Sequence, residues 1–141
     1  MKSIQTTILS ALLLICSSSF AQELTLKMPT STIECTSFNW KNGEGVYVEV
    51  EFQYYVKDDE VAVKLTEKQF SEAVMNVMIK SKFTCKNKIS FVPKQLMIMS
   101  NKEKTGYTMI STMWANNSYG AKGEHKAYFS LDLDGNITSQ F

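Results

Sequence analysis

Residues 65–82 read LTEKQFSEAVMNVMIKSK, and the period of this stretch decides the fold. Phe70, Ala73, Val74, Val77 and Met78 recur at the i, i+3, i+4, i+7, i+8 spacing of a single buried helix face. Lys68, Glu72 and Asn76 fall on the opposite side. Thr66 and Gln69 have the spacing of a capping box, and Leu65 and Phe70 that of a hydrophobic staple. Lys80 and Lys82 place positive charge at the carbonyl end, where the helix dipole favours it. Met75 and Ile79 lie one turn apart beside the main apolar face, either as extra core or as exposed contacts. No other segment reads as a long helix, and the flanks alternate as strands. The expected fold is therefore α+β: an antiparallel β-meander sheet with one amphipathic helix packed on one face.

Residues 46–56 form the clearest strand. Val46, Val48, Val50, Phe52, Tyr54 and Val56 share one face, and Tyr47, Glu49, Glu51, Gln53 and Tyr55 share the other. Residues 33–40 alternate less cleanly. Ile33 and Cys35 fall on one face and Phe38 and Trp40 on the other, which a bulge near Thr36 or Ser37 would reconcile. Residues 57–60 read as a charged turn, and 61–65 as a short strand pairing back before the helix. After the helix, Pro93 marks a break, edge or bulge, because it has no N–H for a ladder. Residues 107–116 have no plainly polar face, the mark of a central strand. Residues 125–133 and 137–141 follow, separated by the tight-turn signal Asp134-Gly135-Asn136.

The first 21 residues carry Lys2, an apolar run over 8–16, and small residues at Ser19 and Ala21. That is the pattern of a secretory signal cut before Gln22. Cys16 offers lipidation as an alternative, but Ile15 stands where a small residue is usual. The apolar run is too short for a permanent membrane span, so no stable membrane insertion is expected after cleavage. The expected organisation is a signal peptide over 1–21, an extended segment over 22–32, and a single domain over 33–141. The expected location is periplasmic or secreted. Without Lys2, fourteen of the fifteen lysines remain and balance the fourteen acids, and the chain contains no arginine. Neutral charge and the absence of the guanidinium fork argue against nucleic acid as a partner.

Cys35 and Cys85 remain after the signal. An even count in an oxidising compartment predicts a disulfide between them. A zinc site would need four ligands, and the two thiols with His125 make only three. Neither a metal nor a cofactor is expected. Glu49 and Glu51 stand side by side on a polar strand face, the pattern of a solvated surface. Asp132, Asp134 and Asn136 have the spacing that opens a calcium loop, but the glycine comes one place early and no distal acid follows.

The stretch over 114–123, with Asn117-Ser118-Tyr119-Gly120 at its centre, is followed by a strand and Asp134-Gly135-Asn136. It resembles the Asn-Ser-aromatic-Gly turn near the end of small exported bacterial domains of unknown function. No activity or site residue comes with the resemblance; the Lys-rich, Arg-free composition and the signal type are what fit a bacterial envelope protein. Tyr47, Tyr55, Trp114 and Tyr128 are aromatic at strand positions that should be polar, which nominates them as a binding surface. The leading expectation is a non-catalytic exported binding domain for a protein partner or an apolar small molecule. An inhibitor or immunity-type protein acting on an envelope toxin or hydrolase is the second. An enzyme centred on His125 with Glu124 or Asp132 is the third.

Overall fold

The computed structural model describes residues 24–57 and 63–141. The expected signal peptide, Cys16 and most of the charged turn and short strand over 57–65 lie outside the described residues. Six strands and one helix follow in the order β1 (Glu34–Lys41), β2 (Tyr47–Val56), α1 (Glu67–Thr84), β3 (Val92–Ser100), β4 (Gly106–Asn116), β5 (Lys122–Asp132) and β6 (Ile137–Gln140). The strands form one sheet in sequence order, with the helix on one face.

Every neighbouring pair is antiparallel except β2 and β3. There Gln53–Val56 runs parallel to residues 95–98. The difference from a pure meander follows from the helix itself. A parallel pair needs a long crossover connection, and α1 occupies the chain between β2 and β3. Residues 63–66 pass directly into the helix without forming a strand. The Tyr107 hydroxyl accepts a hydrogen bond from the Lys64 N–H at 2.9 Å and ties this entry to β4.

The helix begins as its sequence dictates. The Thr66 hydroxyl accepts from the Gln69 N–H at 3.2 Å, and the Gln69 side chain accepts from the Thr66 N–H at 2.9 Å. Phe70, Ala73, Val74, Val77 and Met78 are all buried, together with Ser71 and Ser81. The opposite core face of the sheet contributes Val50, Phe52, Tyr54, Leu96, Ile98, Met109, Met113, Phe129 and Leu131. A line of aromatic rings runs through this core. Phe91 meets Trp40 at 5.5 Å, Trp40 meets Phe38 at 6.4 Å, and Phe38 meets Phe52 at 5.8 Å. Phe52 continues to Tyr54 at 6.3 Å, and Tyr54 to Phe70 of the helix at 5.7 Å.

The segment before β1 is extended, but it does not fray over the surface. Leu26 is 1% exposed, and its N–H donates to the Ser71 hydroxyl at 2.9 Å. Leu24 and Met28 pack against the same core. Burial of apolar side chains accounts for the docking, and Ser71 satisfies a backbone donor that would otherwise be orphaned.

The expected bulge in β1 is absent, and this overturns the disulfide. The register with β2 is continuous from Glu34 opposite Tyr54 to Lys41 opposite Tyr47. Phe38 and Trp40 therefore take the core face, and Cys35 is turned out with Ser37 and Asn39. Cys85 caps the helix on the other side of the sheet, with its Sγ 3.6 Å from Met113 Sδ in β4. Three strand spacings, about 14 Å, separate β1 from β4, well beyond disulfide reach. Both cysteines are free. In β3 the proline has the effect expected of it, and the register shifts between Pro93 and Gln95.

Among the described residues one core hydroxyl has no partner. Ser111 is 1% exposed, and its Oγ makes no hydrogen bond. A buried unpaired hydroxyl costs more than the apolar group that would replace it. Ser111→Ala is expected to raise stability by about 1 kcal/mol in urea unfolding. A fall in stability would mean that the hydroxyl is satisfied.

Candidate functional site

The helix covers one face of the sheet and leaves the other open. Strand register sets what the open face carries. Tyr55 of β2 stands opposite Met97 of β3, Met97 opposite Ile110 of β4, and Ile110 opposite Tyr128 of β5. Phe141, just past β6, stacks on Tyr128 with ring centroids 5.9 Å apart and donates its N–H to the Tyr128 carbonyl at 3.1 Å. The result is an apolar stripe crossing the sheet from β2 to the chain end. Tyr55, Met97 and Ile110 are half-buried, Tyr128 is exposed, and Phe141 is 70% exposed.

The adjoining row is polar: Gln53, Gln95, Thr112 and Lys126. The Gln95 side-chain amide donates to Gln53 Oε1 at 3.2 Å. Beyond it lies Trp114, two positions further along β4. Lys94 and Lys122 hold their ammonium groups over its ring, 4.8 and 5.1 Å from the centroid. Lys94 also donates to Glu124 Oε2 at 2.9 Å. That hydrogen bond, with the charges of Lys94 and Lys126, holds the Glu124 carboxyl below the usual range. The corner around Trp114 is thus basic, with Lys94, Lys122 and Lys126 against one acid.

Three of the four nominated aromatics, Tyr55, Trp114 and Tyr128, therefore share one region of the open face. Tyr47 does not join them. It lies eight residues from Tyr55 along β2, about 27 Å at strand rise, and Lys41 sits 5.7 Å from its ring centroid. Met97, Ile110, Phe141, Lys94 and Lys122 were not nominated by sequence. Alternation within one strand cannot show which residues stand opposite one another in the next, and that pairing is what forms the stripe.

The groups nominated for chemistry are dispersed. His125 is on the helix side of β5 opposite Met113, whereas its neighbour Glu124 is on the open face and paired to Lys94. Asp132 lies seven residues along the strand and is engaged in the β5–β6 turn. Its Oδ1 accepts from the Asp134 and Asn136 N–H groups at 3.0 and 2.8 Å, and its Oδ2 from the Asn136 side chain at 3.0 Å. These bonds, the Asn136 side chain foremost, hold its carboxyl below the ordinary value. They also occupy the oxygens that a calcium ion would need. The Cys85 thiol is buried, and burial pushes it up, away from the thiolate. Among the described residues no group of three His, Cys, Asp or Glu side chains is placed to hold a metal.

Between helix and sheet the space is filled by Phe52, Phe70, Phe91, Phe129, Met78, Met109 and Met113, all fully buried. The open face carries a depression of about 140 Å³ beside Cys35, Glu51 and Gln53. Comparison with family models, with curated proteins and with solved structures finds no match.

Proposed function

We propose that this chain is an exported, non-catalytic binding domain of the bacterial cell envelope that engages a protein partner through the open face of its sheet. The observation that carries this reading is the stripe Tyr55, Met97, Ile110, Tyr128 and Phe141 on the face the helix leaves bare. Tyrosine and tryptophan supply large contact area with a polar tip, the chemistry favoured at the centre of interfaces. The stripe crosses a sheet face rather than lining a hollow, which suits a protein surface better than a small molecule. Lys94, Lys122 and Lys126 flank it, so the partner presents acidic groups at that corner.

The test is the double variant Trp114→Ser with Tyr128→Ser. Both rings contact solvent, so unfolding stability is expected to fall by no more than about 2 kcal/mol, including the lost cation–π contacts. A partner captured from an envelope extract by the wild-type chain is expected to be lost by the folded variant. Equal capture by the two, or a stability loss of several kcal/mol that makes the rings core, removes the basis for the proposal.

A further inference from the structure

β1 is an outer strand, hydrogen-bonded to β2 alone among the strands. The Asn42 N–H donates to the Val46 carbonyl at 2.9 Å, which fixes the phase of the ladder. In an antiparallel pair, alternate residues exchange both backbone bonds with the partner. Glu34, Thr36, Phe38 and Trp40 therefore face β2, and Cys35, Ser37 and Asn39 direct their N–H and C=O groups outward. Among the described residues none of these outward groups has a partner. Exposed edges are normally blunted by proline, a bulge or a central charge. β1 has no proline, an unbroken register, and charge only at its ends, Glu34 and Lys41.

Beside this edge, on the core side of the sheet, lies a cleft of about 250 Å³. Its walls include Leu24, Thr25, Phe38, Trp40 and Met75, and among the described residues no charged side chain lines it. Trp40 is 8% exposed, and its indole Nε1–H, also buried, has no acceptor. Met75 is the flanking helix residue that the main core does not fully cover. An unpaired backbone edge and an uncharged cleft along it thus meet at one place, and Trp40, part of the cleft wall, carries a buried donor without an acceptor.

We propose that β1 accepts an extended, uncharged peptide segment of a partner protein as a seventh strand. Its backbone pairs with Cys35, Ser37 and Asn39. One apolar side chain enters the cleft against Phe38, Trp40 and Met75 and closes the indole off further from exchange with solvent. Strand addition draws affinity from main-chain bonds and specificity from such a side-chain pocket. The neutral walls exclude a charged side chain, whose desolvation nothing there would offset. A second copy of this chain fits less well. A two-fold β1–β1 pairing sets cleft beside cleft, and neither copy offers a projecting residue to fill the other. This surface is distinct from the open-face stripe, and its test is independent of that reading.

The probe is the neutral peptide Thr-Val-Thr-Leu-Thr-Val-Thr, capped at both ends, titrated into the folded protein and followed by amide and indole hydrogen exchange. Binding is expected with Kd below about 1 mM. Exchange at the Cys35, Ser37 and Asn39 amides and the Trp40 indole N–H is expected to slow at least tenfold at saturation. Replacing the central Leu of the peptide by Glu is expected to weaken binding at least tenfold. Ser37→Pro removes an outward donor and leaves the β2 ladder intact, and it is expected to abolish binding. If that variant fails to fold, Met75→Trp fills the cleft from the helix side and is expected to do the same. No protection at 1 mM peptide overturns the proposal. So does protection confined to the open face or to the indole alone, or a concentration-dependent dimer that protects the same amides without peptide.

Discussion

Phe70→Ala is expected to lower unfolding stability by about 3–5 kcal/mol. Phe70 is fully buried and stands where the helix meets the aromatic line of the sheet, 5.7 Å from Tyr54. Truncation removes a large apolar side chain from water-free surroundings and leaves a void between two layers that cannot both move in. The backbone around it is pinned by the capping box at Thr66 and by the Lys64 bond to Tyr107. Collapse into the void is therefore limited, and the cost lies toward the upper end of the range. A domain of this size is stable by about 5–15 kcal/mol, so the variant loses from about a fifth to the whole of its margin. Urea unfolding is the measurement, and a midpoint about 2 M lower is the expected result. A midpoint within a few tenths molar of wild type would mean the helix does not seal this core.

The second large effect is at Gly106, the first residue of β4, opposite Asp132. A Cβ added there would fall inside contact distance of the Leu131 carbonyl oxygen and close to the Asp132 Cα. The obstacle is backbone, so no side-chain rotation relieves it, and β4 and β5 must separate at the mouth of their ladder. Gly106→Ala is expected to cost about 3 kcal/mol, the upper part of the usual range for overpacking. Gly120→Ala is the control. Gly120 has φ +80° but open space around its Cα, so only the backbone cost of about 1 kcal/mol applies. Thermal unfolding of the two variants side by side separates steric exclusion from conformational preference. Equal melting temperatures would show that the β4–β5 approach relaxes freely.

The helix was legible because everything that specifies it is local. Thr66, Gln69 and the period of Phe70, Ala73, Val74, Val77 and Met78 lie within a few turns of one another. β1 was ambiguous for an equally physical reason. Both of its faces carry apolar residues, and only packing decides between them. Phe38 and Trp40 find ring partners in Phe52 and Phe91, whereas Cys35 offers too little volume to compete. The bulge rested on Cys35 facing inward and the disulfide on the even count of cysteines; the outward turn of Cys35 removes both. The parallel pairing of β2 with β3 involves residues about forty positions apart, and no local pattern encodes it. Of the candidate surface, Tyr55, Trp114 and Tyr128 were visible from alternation in their own strands. Met97, Ile110 and Phe141 became part of it only through cross-strand register.

The parallel seam also bears on how the chain reaches this fold. β3 to β6 are joined by short turns, and each strand pairs with its neighbour in sequence. β1 and β2 likewise close as a hairpin around Asn42 and Val46. Among the described residues, β2 and β3 join these two blocks over four register pairs, Gln53 to Val56 against residues 95–98. Bringing them together requires ordering the intervening chain, helix included, and that loop-closure entropy is repaid late. The slow event in folding is then the docking of two preassembled halves, with the helix as the clasp that holds them once they meet.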